Sequence, residues 1–345
     1  MEKIIKSRIR TKILCTVGPS SSSEAVLREM MKAGMDAVRI NFSHGGHKEH
    51  LERIETIRLL NKKYRRGIRI LADLEGARIR VGRLGGRGQM LLEKNKTIYL
   101  SAGEPAAGDK CIPFDYEGEL SDIEPAEFVY IDDGNIVLRI EDIEKRRIRL
   151  KVVSGGMLKE RKGINIPGAK LKFPLLCDKD KKDIDLALES RVDYIAQSFV
   201  RSRHDITALR EYIGGGRVPK IVAKIECQQG INNIEEIIKV SDGIMIARGD
   251  MGISIPVQRV PFVQKEIIKH CRKHGRFSIT ATQMLESMVE NPFPTRAEVS
   301  DVANAVLDGT DFVMLSAETS VGKHPVACVR MMNSIIKYAE QYKPA

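Results

Sequence analysis

Eight short apolar runs recur along the chain, and this rhythm constrains the fold more than any other feature. They are "TKILCTVGP" (11–19), "DAVRINF" (36–42), "IRILADLEG" (68–76), "VDYIAQSFV" (192–200), "KIVAKIE" (220–226), "GIMIARGD" (243–250), "FSITATQ" (277–283) and "DFVMLSAE" (311–318). Segments with helical spacing lie between most of them, such as Ala25-Val26…Met30-Met31 and Ile267-Ile268…Cys271. Near-continuous apolar strands alternating with helices form parallel sheets covered on both faces. Eight such units predict an α/β fold closed as a (β/α)8 TIM barrel rather than an open sheet.

The rhythm breaks between about 79 and 170. Glycine-rich sequence ("RVGRLGGRGQ") and strand-like pieces ("KTIYLSAG", "EFVYIDDGNIVLRIED", "KRRIRLKVVSGG") replace it. "DDGN" (132–135), set between alternating segments, reads as a hairpin turn. The expectation is a small all-β domain inserted after strand three. Residues 1–78 then open the barrel, 79–170 form a β-barrel-like lid, and 171–345 complete the barrel.

Composition excludes several classes. No apolar run approaches the ~20 residues a membrane span needs. The N-terminus, "MEKIIKSRIRTKILC", lacks a long apolar segment and a small-residue cleavage site, so no signal peptide is expected. Six scattered cysteines with no C-x-x-C pair and no metal-like spacing suit reduced thiols in a cytoplasmic protein. The formal net charge of +11 raises nucleic acid as a partner, but aromatics are 5% and tryptophan is absent, so stacking platforms are scarce. Steering of anionic, phosphorylated substrates accounts for the same charge.

Active sites of such barrels are built at the C-terminal ends of the strands, so the residues that end each run carry the argument. Strand two ends Arg39-Ile40-Asn41-Phe42-Ser43-His44-Gly45, and strand three ends on Asp73 and runs on to Arg78 and Arg80. Strand four ends on Ser198, strand five on Lys224-Ile225-Glu226, and strand six on Arg248-Gly249-Asp250. Strand seven ends Thr280-Ala281-Thr282-Gln283 and strand eight Ser316-Ala317-Glu318. Any one of these could be a satisfied structural polar group, but solvation alone does not explain seven of the eight strands turning polar at one end.

Glu226 and Asp250 end neighbouring strands and are two carboxylates suited to a hard cation such as Mg²⁺; the structural alternative is an ion pair of Glu226 with Lys224 or Arg248. Lys224 and Arg39 can both face a phosphoryl group and stabilise charge on it or on an enolate. Lys224 and Glu226, two apart, point to the same face of their strand. Gly249 and Gly252 would let backbone N–H groups approach a carboxylate at a short helix N-terminus, with Arg248 bracing neighbouring carboxylates.

At these residues the sequence resembles the pyruvate kinase family. The matching stretches are "TKILCTVGPSS" (11–21), "RINFSHG" (39–45), "KGINIPGA" (162–169), "AKIE" (223–226), "SDGIMIARGDMG" (241–252), "ATQMLESM" (281–288) and "PTRAEVSDVANAVLDGTDFVMLSAET" (294–319). The resemblance implies phosphoryl transfer from phosphoenolpyruvate to ADP, giving ATP, with protonation of the enolate to pyruvate. It implies Glu226 and Asp250 as ligands of Mg²⁺ (or Mn²⁺), Lys224 as the cation bridging phosphoryl group and enolate, and Arg39 as a phosphate ligand. Gly249 and Asp250 would offer backbone N–H groups to the substrate carboxylate, helped by Thr282. Thr282, Ser316 and Glu318 would line the side from which a water delivers the proton. Asn41, Ser43 and Asp73 match a monovalent-cation pocket, and His44, Arg80 and Lys162 match positions around the nucleotide phosphates. The inserted domain matches a mobile lid that excludes water.

Three departures modify these expectations. "DLEGARIR" (73–80) places Arg78 where the family's Glu accompanies K⁺ dependence and its Lys K⁺ independence, so no K⁺ requirement is expected. Glu75 and Ala77 stand where the family has Gln or Lys and Pro, which loosens the hinge and places a carboxylate near the phosphates. The chain stops at Ala345, whereas the family usually continues with an α/β domain of about 100 residues or more; the expectation is a chain without that domain or its sugar-phosphate regulation, and a homodimer through barrel helices. Two other readings are weighed. One is a specialised paralogue with another phosphoryl acceptor or with aldolase or lyase chemistry. The other is a silent phosphoenolpyruvate- or pyruvate-binding regulator, which the intact Lys224, Glu226, Asp250 and Thr282 oppose.

Overall fold

The structure is a computed structural model that describes residues 10–84, 88–102, 111–216 and 218–342. The N-terminal segment expected to carry no leader (1–9) and the last residue, Ala345, lie outside the described residues. Each of the eight apolar runs contains one strand of a closed parallel barrel. These are β1 (Lys12–Thr16), β2 (Ala37–Asn41) and β3 (Arg69–Asp73), then, past an insertion with nine further strands among the described residues, β13 (Tyr194–Gln197), β14 (Lys220–Ile225), β15 (Gly243–Ala247), β16 (Phe277–Ala281) and β17 (Phe312–Leu315). β17 pairs back onto β1. Most of these strands are buried along nearly their whole length, which is why they read as unbroken apolar runs rather than alternating ones.

Some of the helices between the strands begin at a side-chain cap. Ser23 accepts the Val26 N–H at the start of Glu24–Ala33, and Thr295 with Glu298 forms a reciprocal capping box at the start of Arg296–Asp308. The barrel interior is filled by Leu14, Ala37, Leu71, Ala196, Val222, Met245, Ile279, Ala281 and Met314. At the N-terminal end Tyr194, Phe277 and Phe312 close the interior, with ring centroids 5.6–6.5 Å apart and steep interplanar angles. Gly243 opens β15 beside this plug. A Cβ there would lie 2.3 Å from the Phe277 ring, so the ring's seat exists only because residue 243 has no side chain.

The insertion contains β4 (Ile79–Arg80), β5 (Gln89–Leu92), β6 (Thr97–Ala102), β7 (Cys111–Phe114), β8 (Phe128–Ile131), β9 (Ile136–Ile143), β10 (Arg147–Ser154), β11 (Gly156–Lys159) and β12 (Gly163–Asn165). Seven strands form one mostly antiparallel sheet in the order β4-β12-β8-β9-β10-β6-β7, and β5 pairs with β11. A bridge between Val81 and Phe114 joins the two ends of that sheet, giving it a barrel-like closure. Alternation sets its interior: Ile148, Leu150 and Val152 of β10 are buried with Ile136 and Leu138 of β9. "DDGN" is the β8–β9 hairpin turn, with Asp132, Asp133 and Gly134 all at positive φ. The chain divides into two compact units, one of residues up to 76, 176–248 and from 261 onward, the other of 77–175 with 249–260. Among the described residues no helix is long and apolar enough to cross a membrane.

Candidate active site at the C-terminal end of the barrel

β2 and β3 pair in a register that sets Asn41 beside Asp73, and Arg39, two residues earlier, shares a strand face with Asn41. The Arg39 guanidinium reaches Asp73 Oδ2 through Nε at 2.5 Å and Thr16 Oγ1 through Nη1 at 3.2 Å. Asp73's other oxygen, Oδ1, lies 3.1 Å from Lys224 Nζ. Lys224 also donates to Ser198 Oγ at 2.6 Å and lies 3.2 Å from Glu226 Oε1. Ser198 passes the chain on by donating to the Leu74 carbonyl at 2.7 Å. Four strand ends thereby place two cations and two carboxylates in one hydrogen-bonded cluster that solvent scarcely reaches.

Burial by itself would raise the Asp73 carboxyl, but Lys224 and Arg39 more than offset it and hold it below the usual carboxylate range. Asp73 is therefore an anion whose role is to seat two cations. Glu226 accepts the Phe199 N–H at 2.6 Å with the oxygen that does not face Lys224, and Phe199 adopts φ +53° to present it. Of the two ion-pair partners considered for Glu226, Lys224 is the one in contact. Ser43 donates its N–H to Asn41 Oδ1 at 3.2 Å, so two members of the expected monovalent-cation pocket are tied together while the third, Asp73, is engaged by Arg39 and Lys224.

Arg248 does not brace a set of neighbouring carboxylates as expected from the sequence. The strand run read as 243–250 ends at Ala247, and the helix Arg248–Ser254 starts at the next residue. From there Arg248 meets one carboxylate, Asp301, at 2.7 Å through both terminal nitrogens, and spends its remaining donors on the carbonyls of Ala281 (3.2 Å) and Thr282 (2.7 Å) and on Gln264 (3.2 Å). Its work is to shape the turn after β16, where Thr282 and Gln283 sit at φ +68° and +54°. A β-branched residue at positive φ is strained and persists only where its surroundings hold it. Sequence reasoning missed Asp301 and Gln264 because both lie on later helices, 53 and 16 residues from Arg248, and nothing local marks them as its partners.

Glu318 is fully buried and accepts two backbone amides, Ser316 N–H at 2.6 Å and Leu285 N–H at 3.0 Å. It ties the turn after β17 to the one after β16. Ser316 Oγ is buried without a hydrogen-bond partner among the described residues. Thr282 Oγ1 donates to the Ala281 carbonyl at 2.7 Å.

The remaining expected residues fall into separate contacts. In the inserted unit Arg80 donates to the Arg161 carbonyl at 3.0 Å, and Lys162 pairs with Asp132 at 2.6 Å. Arg78 lies 3.2 Å from both Asp133 and Asp250. The two aspartates of the "DDGN" turn therefore hold two of the cations singled out from the sequence, a role the turn reading did not foresee. Gly249 and Asp250 lie in the first turn of Arg248–Ser254, where helix N–H groups have no partner within the helix. Gly252 is not required by space: a Cβ there would meet Val257 and Val260 at 3.9 and 3.8 Å, ordinary contact distances. His44 is exposed on the loop after β2. Glu75 meets Lys179 at 3.2 Å, so a barrel lysine faces the carboxylate expected near the phosphates.

A family profile described as "Pyruvate kinase, barrel domain" matches residues 8–329. The chain belongs to the pyruvate kinase family. Pyruvate kinase of Clostridium perfringens is 44% identical over 335 residues, covering 96% of this chain and 70% of that protein. Pyruvate kinases of Staphylococcus epidermidis and Staphylococcus aureus are 45% and 43% identical over 334 residues. This chain spans 57% of the length of each of those two.

The pyruvate kinase family implies a divalent cation. Among the described residues there is no group of three or more histidine, cysteine or acidic side chains able to hold one. The two carboxylates expected from the sequence to serve it lie one in each compact unit. Glu226 is almost fully buried, and Asp250 Oδ1 is buried and accepts no hydrogen bond. Hard oxygen donors few in number suit Mg²⁺, which keeps several waters and takes substrate oxygens for the rest.

Proposed function

We propose that this chain transfers the phosphoryl group of phosphoenolpyruvate to ADP. The bond from phosphorus to the enol oxygen breaks, a terminal β-phosphate oxygen of ADP takes the phosphorus, and the enolpyruvate gains a proton at its methylene carbon to become pyruvate. The observation that carries the reading is Lys224, an ammonium held at the barrel mouth by Asp73, Glu226 and Ser198, with Arg39 on the opposite oxygen of Asp73. Such preorganised cations stabilise charge developing on a phosphoryl group and an enolate without reorganising during the reaction. Arg39 takes the phosphoryl oxygens, and Lys224 spans those and the enolate oxygen.

Glu226 and Asp250 are the residues that would hold Mg²⁺. When bound, Mg²⁺ supplies Lewis-acid stabilisation of the same negative charge. The N–H groups of Gly249 and Asp250, with Thr282, receive the substrate carboxylate. Ser316, whose hydroxyl is buried and unspent, holds the water that protonates the enolate, and Glu318 keeps Ser316 and the Thr282 turn in register. His44, Arg80 and Lys162 serve the nucleotide phosphates. Arg78 supplies a positive charge in place of the K⁺ that Asn41, Ser43 and Asp73 would otherwise hold.

The test is pyruvate release from phosphoenolpyruvate and ADP with Mg²⁺, with and without K⁺, beside Lys224→Met. The expected result is turnover indifferent to K⁺ and lost in the variant. Activation by K⁺ would remove the role given to Arg78. Absence of turnover in the unmodified chain would sink the proposal.

A further inference from the structure

Arg78, Asp133, Gly163 and Asp250 belong to the same compact unit and meet around one guanidinium. A single nitrogen of Arg78, Nη2, lies 3.2 Å from Asp133 Oδ1 and 3.2 Å from Asp250 Oδ1. Charge-assisted N–H···O contacts settle near 2.7–2.9 Å when one donor commits to one acceptor. Nη2 hydrogen-bonds Asp133 and meets Asp250 as an ion pair only, so the hold on Asp250 is the weaker of the two. The guanidinium also lies against the backbone of Gly163, where a Cβ would sit 2.3–2.5 Å from Nε, Cζ and Nη2, so the seat depends on a residue with no side chain.

The two carboxylates differ in what it costs to leave them. The Asp133 side chain is 73% exposed, so water replaces a departing cation there. The Asp250 side chain is 25% exposed and its Oδ1 accepts no hydrogen bond, so that oxygen needs a positive charge from somewhere. A dication on Asp250 would meet that need and repel Arg78 toward Asp133.

We propose that Arg78 competes with the divalent cation for Asp250, and that Asp133, at the tip of the β8–β9 hairpin, is the seat to which Arg78 withdraws when the metal binds. Metal loading is thereby coupled to the hairpin by one side chain. This inference rests on the assignment of Asp250 as a metal ligand, and it makes Arg78 a positioning residue for the metal rather than a ligand of substrate.

The test is direct binding of Mn²⁺ to the full chain without phosphoenolpyruvate or ADP, read from the electron paramagnetic resonance signal of the free ion. Arg78→Gln removes the competitor and binds Mn²⁺ about tenfold more tightly, one decade being the effect of about 1.4 kcal/mol. Asp133→Asn removes the alternative seat and binds Mn²⁺ several-fold more weakly, although residue 133 touches no metal. In the double variant the Asp133 effect disappears, because it acts only through Arg78. Arg78→Lys, which keeps the charge but loses the fork, lies between wild type and Arg78→Gln and serves if the glutamine variant folds poorly. Asp250→Asn separates the failures. If it abolishes Mn²⁺ binding while Arg78→Gln leaves the affinity unchanged, the competition is refuted and the metal assignment stands. If Asp250→Asn binds Mn²⁺ as wild type does, both fall together.

Discussion

The two mouths of the barrel are built from the same eight strands and use the same kinds of cation in opposite ways. At the N-terminal mouth, Lys12 lies 5.5 Å from the Phe312 ring centroid, Lys220 lies 5.9 Å from that of Phe277, and Arg69 lies 5.9 Å from that of Tyr194. Those cations rest on aromatic faces, and the rings seal the interior beneath them. At the C-terminal mouth Arg39 and Lys224 face buried carboxylates, and no apolar plug lies over them among the residues of the barrel's inner cluster. Position relative to the low-dielectric interior decides the role. A cation on a ring at one end adds stability, whereas a cation held against a buried anion at the other end is, on the function proposed above, a charge set to meet a substrate.

Substitutions at each mouth should therefore separate stability from turnover. Lys224→Met should lower the rate of pyruvate formation by about 10³-fold, in the range seen when one preorganised charge-stabilising donor is lost. It should also change the acid limb of unfolding. Asp73 is held below its unfolded value, so its contribution is present above the ordinary carboxylate range and is lost as pH falls through the depressed folded value. Without Lys224 that loss begins at higher pH, so the acid-unfolding midpoint should move upward. Phe312→Ala at the opposite mouth should cost about 3 kcal/mol of stability by denaturant titration and leave kcat of the folded protein unchanged. A drop in kcat comparable with that of Lys224→Met would abolish the contrast between the mouths.

Arg248→Lys should sharpen the comparison. A lysine keeps the charge but not the fork that spans Asp301 and the Ala281 and Thr282 carbonyls. A fall in kcat of about tenfold is expected, about 1.4 kcal/mol, with a smaller loss of stability than at Phe312. The smallest effect belongs to the barrel's outer wall. His50 packs against Phe42 at 4.5 Å, and burial, aided by Arg53, pushes its imidazole from 6.5 down to about 4. Between those values the unfolded chain binds a proton that the folded chain does not, so stability falls as pH drops through that window and is unaffected above it. His50→Gln should flatten that slope in urea titrations between pH 7 and pH 4.5, with no change in turnover at pH 7.

The barrel was legible because its strands are buried on both faces, so each appears as an unbroken apolar run, and because a core gives no reason for Arg39, Asp73, Lys224 and Glu226 at strand ends. The shared face of Lys224 and Glu226 followed from period two, and their contact agrees with it. Other parts of the site were hidden for a physical reason: their meaning is a long-range contact. Asp301 is 53 positions from Arg248, and Asp133 is 55 from Arg78. Nothing local marks either aspartate as the partner of a particular arginine. "DDGN" was read correctly as a turn, since turn chemistry is local, but turn-forming aspartates do not announce which cation they hold. The positive φ of Thr282 was equally hidden, because its carbonyl is held by Arg248.

The Glu318 clasp divides tolerance to mutation unevenly. One side chain supplies both acceptors, and the donors are the amides of Leu285 and Ser316. Every residue except proline carries such an amide. Leu285 can therefore change side chain without untying the clasp, and proline is the one replacement that would cut it there. At 318 a shorter acid would not span both amides, and an amide side chain would oppose a donor with a donor. Random libraries should accept many residues at 285, within the limits of packing, and almost none but glutamate at 318.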